Sequence, residues 1–122
     1  MTGAVSGIWV LDTDGPEGEE ALGKLGFLPK TRACKTPRGL HRYFRHPGCK
    51  VRTISGLFDK VDVRGDGGYV VGPDSVRENG ATYQWTEDSQ PVADAPVWLL
   101  KRVADPNDPK TPACIRLAEW VE

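Results

Sequence analysis

The chain has 122 residues, 39% of them hydrophobic and 27% charged, with a formal net charge of −1. That length admits one domain with one core, and the composition is ordinary globular. No stretch is apolar enough to span a membrane, the start lacks a signal peptide's basic and apolar regions, and near-neutrality gives no bulk field for nucleic acid.

The organising stretch is Ile8-Trp9-Val10-Leu11-Asp12-Thr13-Asp14. An unbroken apolar run of this length reads as a strand buried on both faces, although periodicity alone does not exclude a helix. Strand side chains alternate, so Asp12 and Asp14 leave the same face at its end. Two like charges that close are costly unless a positive group sits between them, and a divalent cation would serve. Equally, Asp14 can be a helix N-cap, with Pro16 in the first turn and Glu17, Glu19 and Glu20 facing the positive end of the helix dipole. Local sequence favours neither.

Glu17 to Leu25 carries Ala21, Leu22 and Leu25 at helical spacing, with Gly26 as a stop. Gly23 inside it costs roughly 1 kcal/mol against alanine, so packing must hold this helix. Thr31 to Lys35 reads as a strand, Thr36-Pro37-Arg38-Gly39 as a turn, and Leu40 to Arg45 as the second strand of a hairpin. On that strand His41, Tyr43 and Arg45 share one face, and Leu40, Arg42 and Phe44 the other. Neither face is purely apolar. Residues 48–60 read as a loop or a poor strand.

Val61 to Pro73 compresses strand, glycine-rich turn and strand into one segment, with Asp66 as a turn former. Asp62, flanked by valines, needs a partner, and Arg64 on the same face can supply it. Loops follow around Pro73 and Asn79-Gly80, then an alternating strand from Ala81 to Thr86. Pro96 to Val103 opens as a helix on its proline, residues 105–109 form a linker, and Cys114 to Val121 a short amphipathic helix. The expected organisation is a core over residues 1–103 and a linker with a short helix over 104–122.

Cys34, Cys49 and Cys114 are an odd, widely spaced set with no Cys-x-x-Cys pair. That argues against a disulfide framework or a structural zinc site and suits a reducing cytoplasm. Charge is unevenly distributed: Lys30, Arg32, Lys35, Arg38, Arg42, Arg45, Lys50 and Arg52 run without an acid among them, while carboxylates crowd residues 12–20 and 87–94. A basic run between two acidic segments points to an anionic, metal-bound ligand, although such a run can also be merely a solvated face.

Leu11-Asp12-Thr13-Asp14, Gly39-Leu40-His41-Arg42-Tyr43-Phe44 and Val61 through Pro73 together resemble the bifunctional DNA primase/polymerase N-terminal domain, a family of the archaeo-eukaryotic primase superfamily found in plasmid, phage and prophage replication proteins. Tyr83-x-Trp85 and Pro96-x-Trp98-Leu99 fall where that family closes. The resemblance implies an α+β fold with a mixed or antiparallel sheet, few helices and a primase-like catalytic core. The family's acidic pair falls on Asp12 and Asp14, its small-residue-x-histidine motif on Gly39 and His41, and its hydrophobic-acid motif on Val61 and Asp62. Serine is common where Gly39 stands. In such enzymes the three acids hold Mg²⁺ or Mn²⁺ and the histidine contacts the nucleotide's phosphates.

Nucleotidyl transfer is an in-line displacement at phosphorus, for which two metals roughly 3.5–4 Å apart can stabilise both attacking and leaving oxygens. Hard divalent ions need only a few carboxylates beside the substrate phosphates. Arg52 and Arg64, ranked ahead of Arg38, are candidates for the triphosphate, because the guanidinium fork matches phosphate. The implied function is template-directed synthesis of primers or DNA from NTP or dNTP on single-stranded DNA, with a helicase domain or protein as a further partner. Family members carry several tens of residues before the acidic pair, so the core is expected to lack that N-terminal subdomain. The alternatives are a truncated non-catalytic module that binds nucleotide or nucleic acid and, behind it, a metal-dependent nuclease.

Overall fold

Ile8–Asp14 forms strand β1, in which Trp9, Val10 and Leu11 are wholly enclosed. An unbroken apolar run requires this, because both of its faces must be covered. The computed structural model describes residues 7–58, 60–67, 84–85 and 91–121. The expected strand near Tyr69, the loops around Pro73 and Asn79 and most of the strand from Ala81 to Thr86 lie outside the described residues.

The further elements are α1 (Gly15–Gly23), β2 (Ala33–Lys35), β3 (Gly39–Arg45), β4 (Ile54–Phe58), β5 (Val61–Arg64), β6 (Gln84–Trp85), α2 (Val97–Val103) and α3 (Thr111–Val121). The strands form one sheet in the order β4-β5-β1-β3-β2-β6, with the two-residue β6 at one edge. Every neighbouring pair is antiparallel. The fold is therefore α+β, and the sheet expected to be mixed or antiparallel is antiparallel.

Alternation divides the sheet into two faces. Trp9, Leu11, Phe44, Val61 and Val63 pack on one side with Leu22 of α1 and Leu99, Leu100 and Val103 of α2. The Trp9 and Phe44 rings lie 5.1 Å apart, tilted by 32°. Val10, Cys34 and Tyr43 form a smaller cluster on the other side, flanked by Ile8 and Val92. Burying a side chain such as Leu22 contributes about 1.5–3 kcal/mol. That outweighs the helix-breaking tendency of Gly23, which in any case ends α1 rather than interrupting it.

The passage from β1 into α1 is abrupt. Gly15 turns it at φ +74°, a conformation that costs glycine little. Asp14 occupies the N-cap position, but its carboxylate makes no cap bond. The Asp14 amide instead donates to the Lys60 carbonyl (2.8 Å), and a Cβ on Gly18 would lie 2.6 Å from that same oxygen. One turn further along, Glu19 accepts both nitrogens of the Arg42 guanidinium, one at 2.7 Å, and the hydroxyl of buried Thr13. This fork, followed in effect by the Thr13 bond and opposed by burial, holds the Glu19 carboxyl below its ordinary value.

The segment expected as a loop or poor strand contains β4, whose partly exposed residues do not alternate. Gly56 at φ +75° and an irregular register between Ile54 and Phe58 explain why. Beyond α2, the Asp108 carboxylate accepts the amides of Lys50 (2.8 Å) and Lys110 (2.9 Å). Cys114, Ile115 and Ala118 of α3 pack against the main core. Among the described residues no helix is long and apolar enough to cross a membrane.

A carboxyl whose pKa is lowered by folding stabilises the protein above its unfolded value, 4.5 for Glu19, and loses that contribution as pH falls through the folded one. Glu19→Gln should therefore destabilise the chain most above pH 4.5. The gap from wild type should close on acidification, as measured by urea unfolding across the acid range. A gap independent of pH would contradict the role given to the Arg42 fork.

Candidate metal and nucleotide site

The register carries one line of residues across the second face. Asp62 of β5 pairs with Asp12 of β1, Asp12 with His41 of β3, His41 with Cys34 of β2, and Cys34 with Trp85 of β6. A parallel line runs through Arg64, Val10 and Tyr43, and Asp14 pairs with Gly39 at the strand end. Residues directly opposite in adjacent strands share a face, so Asp12, Asp14, Asp62, His41, Gly39 and Arg64 belong to one surface.

His41 Nε2 lies 3.4 Å from Asp12 Oδ1, with the ring buried and the carboxylate partly exposed. Asp62 accepts the Gly56 amide at 2.7 Å through Oδ1, and its Oδ2 lies 3.7 Å from Arg64. Asp14 Oδ2 lies 3.1 Å from the Arg38 guanidinium. Among the described residues no three His, Cys, Asp or Glu side chains converge as a ready metal-ligating group. The donor chemistry still fits a hard divalent cation. Asp12 and Asp62 are carboxylates directly opposite each other, a pairing that is unfavourable unless positive charge offsets it.

Gly39 is glycine for a backbone reason. A Cβ there would fall on the Thr13 carbonyl oxygen and come within 3.0 Å of the Gly15 nitrogen. The serine common at this position in the family could not be added without parting β1 from β3.

Arg52 lies apart from this face. Its guanidinium donates to the Arg102 carbonyl at the end of α2, beside the main core. Arg38, ranked behind it on sequence, is the arginine that meets Asp14. It stands in the turn one residue before Gly39, which the β1–β3 ladder sets opposite Asp14. The Glu19–Arg42 pair joins residues 23 positions apart, and no local pattern announces it. The Cys49 thiol is pushed up to about 11, first by burial and then by the adjoining Cys114 thiol, which makes it a packing residue and not a thiolate donor. All three cysteines are free.

These features define an α+β domain with helices on one face of an antiparallel sheet and an acidic line flanked by cations on the other. A family model places it further. The model of the bifunctional DNA primase/polymerase N-terminal domain matches residues 1–98, and the chain belongs to that family. Membership implies, at the level of the family, nucleotidyl transfer with DNA and nucleotides as substrates. No curated protein and no solved structure matches the chain.

Two substitutions probe this surface. Gly39→Ala should lower stability by about 1–3 kcal/mol, the scale of overpacking, in denaturant unfolding. Asp62→Asn keeps an oxygen for the Gly56 amide and relieves the repulsion with Asp12. It should leave the metal-free melting temperature equal or higher and abolish any rise on adding Mn²⁺. An undiminished Mn²⁺ shift in Asp62→Asn would remove Asp62 from the ligand set.

Proposed function

We propose that the chain is a metal-dependent DNA primase/polymerase domain that transfers nucleotides from NTP or dNTP onto a growing strand, directed by a single-stranded DNA template. Its setting on this reading is plasmid, phage or prophage replication in the cytoplasm, alongside a helicase domain or protein. The observation that carries it is the cross-strand line Asp62–Asp12–His41, which sets two hard oxygen donors beside an imidazole on one face.

Asp12, Asp14 and Asp62 would hold Mg²⁺ or Mn²⁺, and the bound cation would offset phosphate charge and ease displacement at phosphorus. The remaining work falls to the chain. His41 Nε2, now facing Asp12, offers an N–H to a phosphate oxygen. Gly39 lets β3 close onto β1 at the strand end, which sets His41 opposite Asp12. Arg64 and Arg38 sit on Asp62 and Asp14, so each can exchange its carboxylate for a phosphate without leaving the site. Arg52, held by the Arg102 carbonyl, stays outside this assignment.

A second reading, a non-catalytic module that binds nucleotide or nucleic acid, is favoured by one specific observation: Asp12, Asp14 and Asp62 each already have an internal partner. Primer synthesis and extension with Mn²⁺ separates the two. Turnover is expected, and Asp12→Ala combined with Asp62→Ala should reduce it on the order of a thousandfold or more, the scale of several kcal/mol of charge stabilisation. Activity surviving the double substitution would sink the mechanism. Nucleotide-induced amide shifts at Asp12, His41 and Asp62 without turnover would establish the module instead.

A further inference from the structure

The acidic line does not end at His41. It continues through Cys34 to Trp85, a residue 36% exposed on the edge strand. The Tyr43 ring meets Trp85 edge-on, with centroids 5.2 Å apart at 62°. The exposed Arg32 guanidinium lies over the Trp85 ring, 4.4 Å from its centroid, in a cation–π contact that a base could displace. Arg32 belongs to the parallel line, because the Tyr43 amide donates to its carbonyl at 2.9 Å. An aromatic ring, a second ring bracing it and an exposed cation thus sit at the β6 end of the face whose other end carries the carboxylates.

We infer that Trp85, braced edge-on by Tyr43 and with the Arg32 guanidinium over its ring, is a stacking platform at which a base of single-stranded nucleic acid takes the place of that guanidinium. The pairing of groups fits that ligand. A planar ring accepts the π-face of any base, and a neighbouring guanidinium neutralises the phosphate that follows it. Sequence tolerance of this kind suits a polymer whose bases vary. The position fits as well. Strands lie about 4.8 Å apart, so Trp85 stands roughly 10 Å beyond His41. A strand seated there runs its next phosphates towards the cationic line of Arg32 and Arg64. Burial raises the Tyr43 hydroxyl above its ordinary value, followed by the effect of Cys34 and opposed by Arg32, so the bracing ring stays neutral beside the polyanion. Only the direction taken by the strand rests on the nucleotidyl-transfer reading; the stacking does not.

The test is fluorescence anisotropy of the 122-residue chain with a labelled oligo-dT of about 12 nucleotides, in EDTA. Trp85→Ala should weaken binding roughly 5- to 150-fold, while Trp85→Phe should retain most of it. Arg32→Ala should flatten the dependence of log affinity on log salt by about 0.7, one single-strand phosphate contact. An oligomer of equal length with abasic sites should bind wild type more weakly, by a similar factor, and be indifferent to Trp85→Ala. That arm needs no variant to fold. Equal wild-type affinity for the two oligomers overturns the proposal, as does a Trp85→Ala loss that is as large on the abasic strand. So does a loss confined to free dTTP, which would make Trp85 a nucleotide contact. Because the readout is binding without metal, absent primer extension bears on the nucleotidyl-transfer reading alone.

Discussion

Strand β1 is laddered on both edges, to β3 over its whole length and to β5 over Val10 to Thr13. A one-residue slip would invert every side chain. Asp12 would turn towards the cluster of Leu22, Phe44 and Leu99, and an uncompensated carboxylate there is far costlier than any single packing contact. Register and site are therefore the same fact in this molecule. The Glu19 fork on Arg42 supports that register from the helix side, through the residue that follows His41. Arg42 is enclosed enough that, without Glu19, its charge would lose its partner where little solvent reaches it.

The acidic face is electrostatically soft by comparison. The pairs that hold Asp14 and Asp62 are partly exposed, and exposed ion pairs contribute only about 0–1 kcal/mol. A polyvalent ligand can compete with interactions of that size. The Asp12–His41 pair differs, since its ring is buried within the sheet and cannot swing away as a surface arginine can. The face combines one fixed group with several exchangeable ones, an arrangement suited to binding and releasing phosphates.

Sequence periodicity disclosed what depends on near neighbours. The apolar run ending in Asp12 and Asp14, the hairpin of β2 and β3, and the helix opened by Pro96 all follow from local pattern and turn chemistry. The shared face of Asp12 and Asp14 was also legible, because alternation is a backbone property. What sequence did not disclose depends on direction across space. Arg52 and Arg38 are equally cationic in the sequence, yet one reaches back to α2 and the other forward to Asp14. The choice between helix cap and ion ligand for Asp14 was open locally. In the structure its carboxylate makes no cap bond and meets the Arg38 guanidinium instead. β4 was legible only as a loop or a poor strand, because Gly56 and the irregular register remove the alternation by which strands are recognised.

The close approach at Gly39 has a consequence for how this sequence can drift. A side chain at position 39 is refused by the carbonyl of Thr13, and Thr13 is held in turn through its hydroxyl by Glu19. Residues so connected do not change independently, and their substitutions combine non-additively. A hydroxyl could enter at position 39 only after the corner from Thr13 to Gly15 had moved, and that corner also starts α1. The glycine is thus a point of mutational lock-in: a change accepted at one of these positions alters what the others can become.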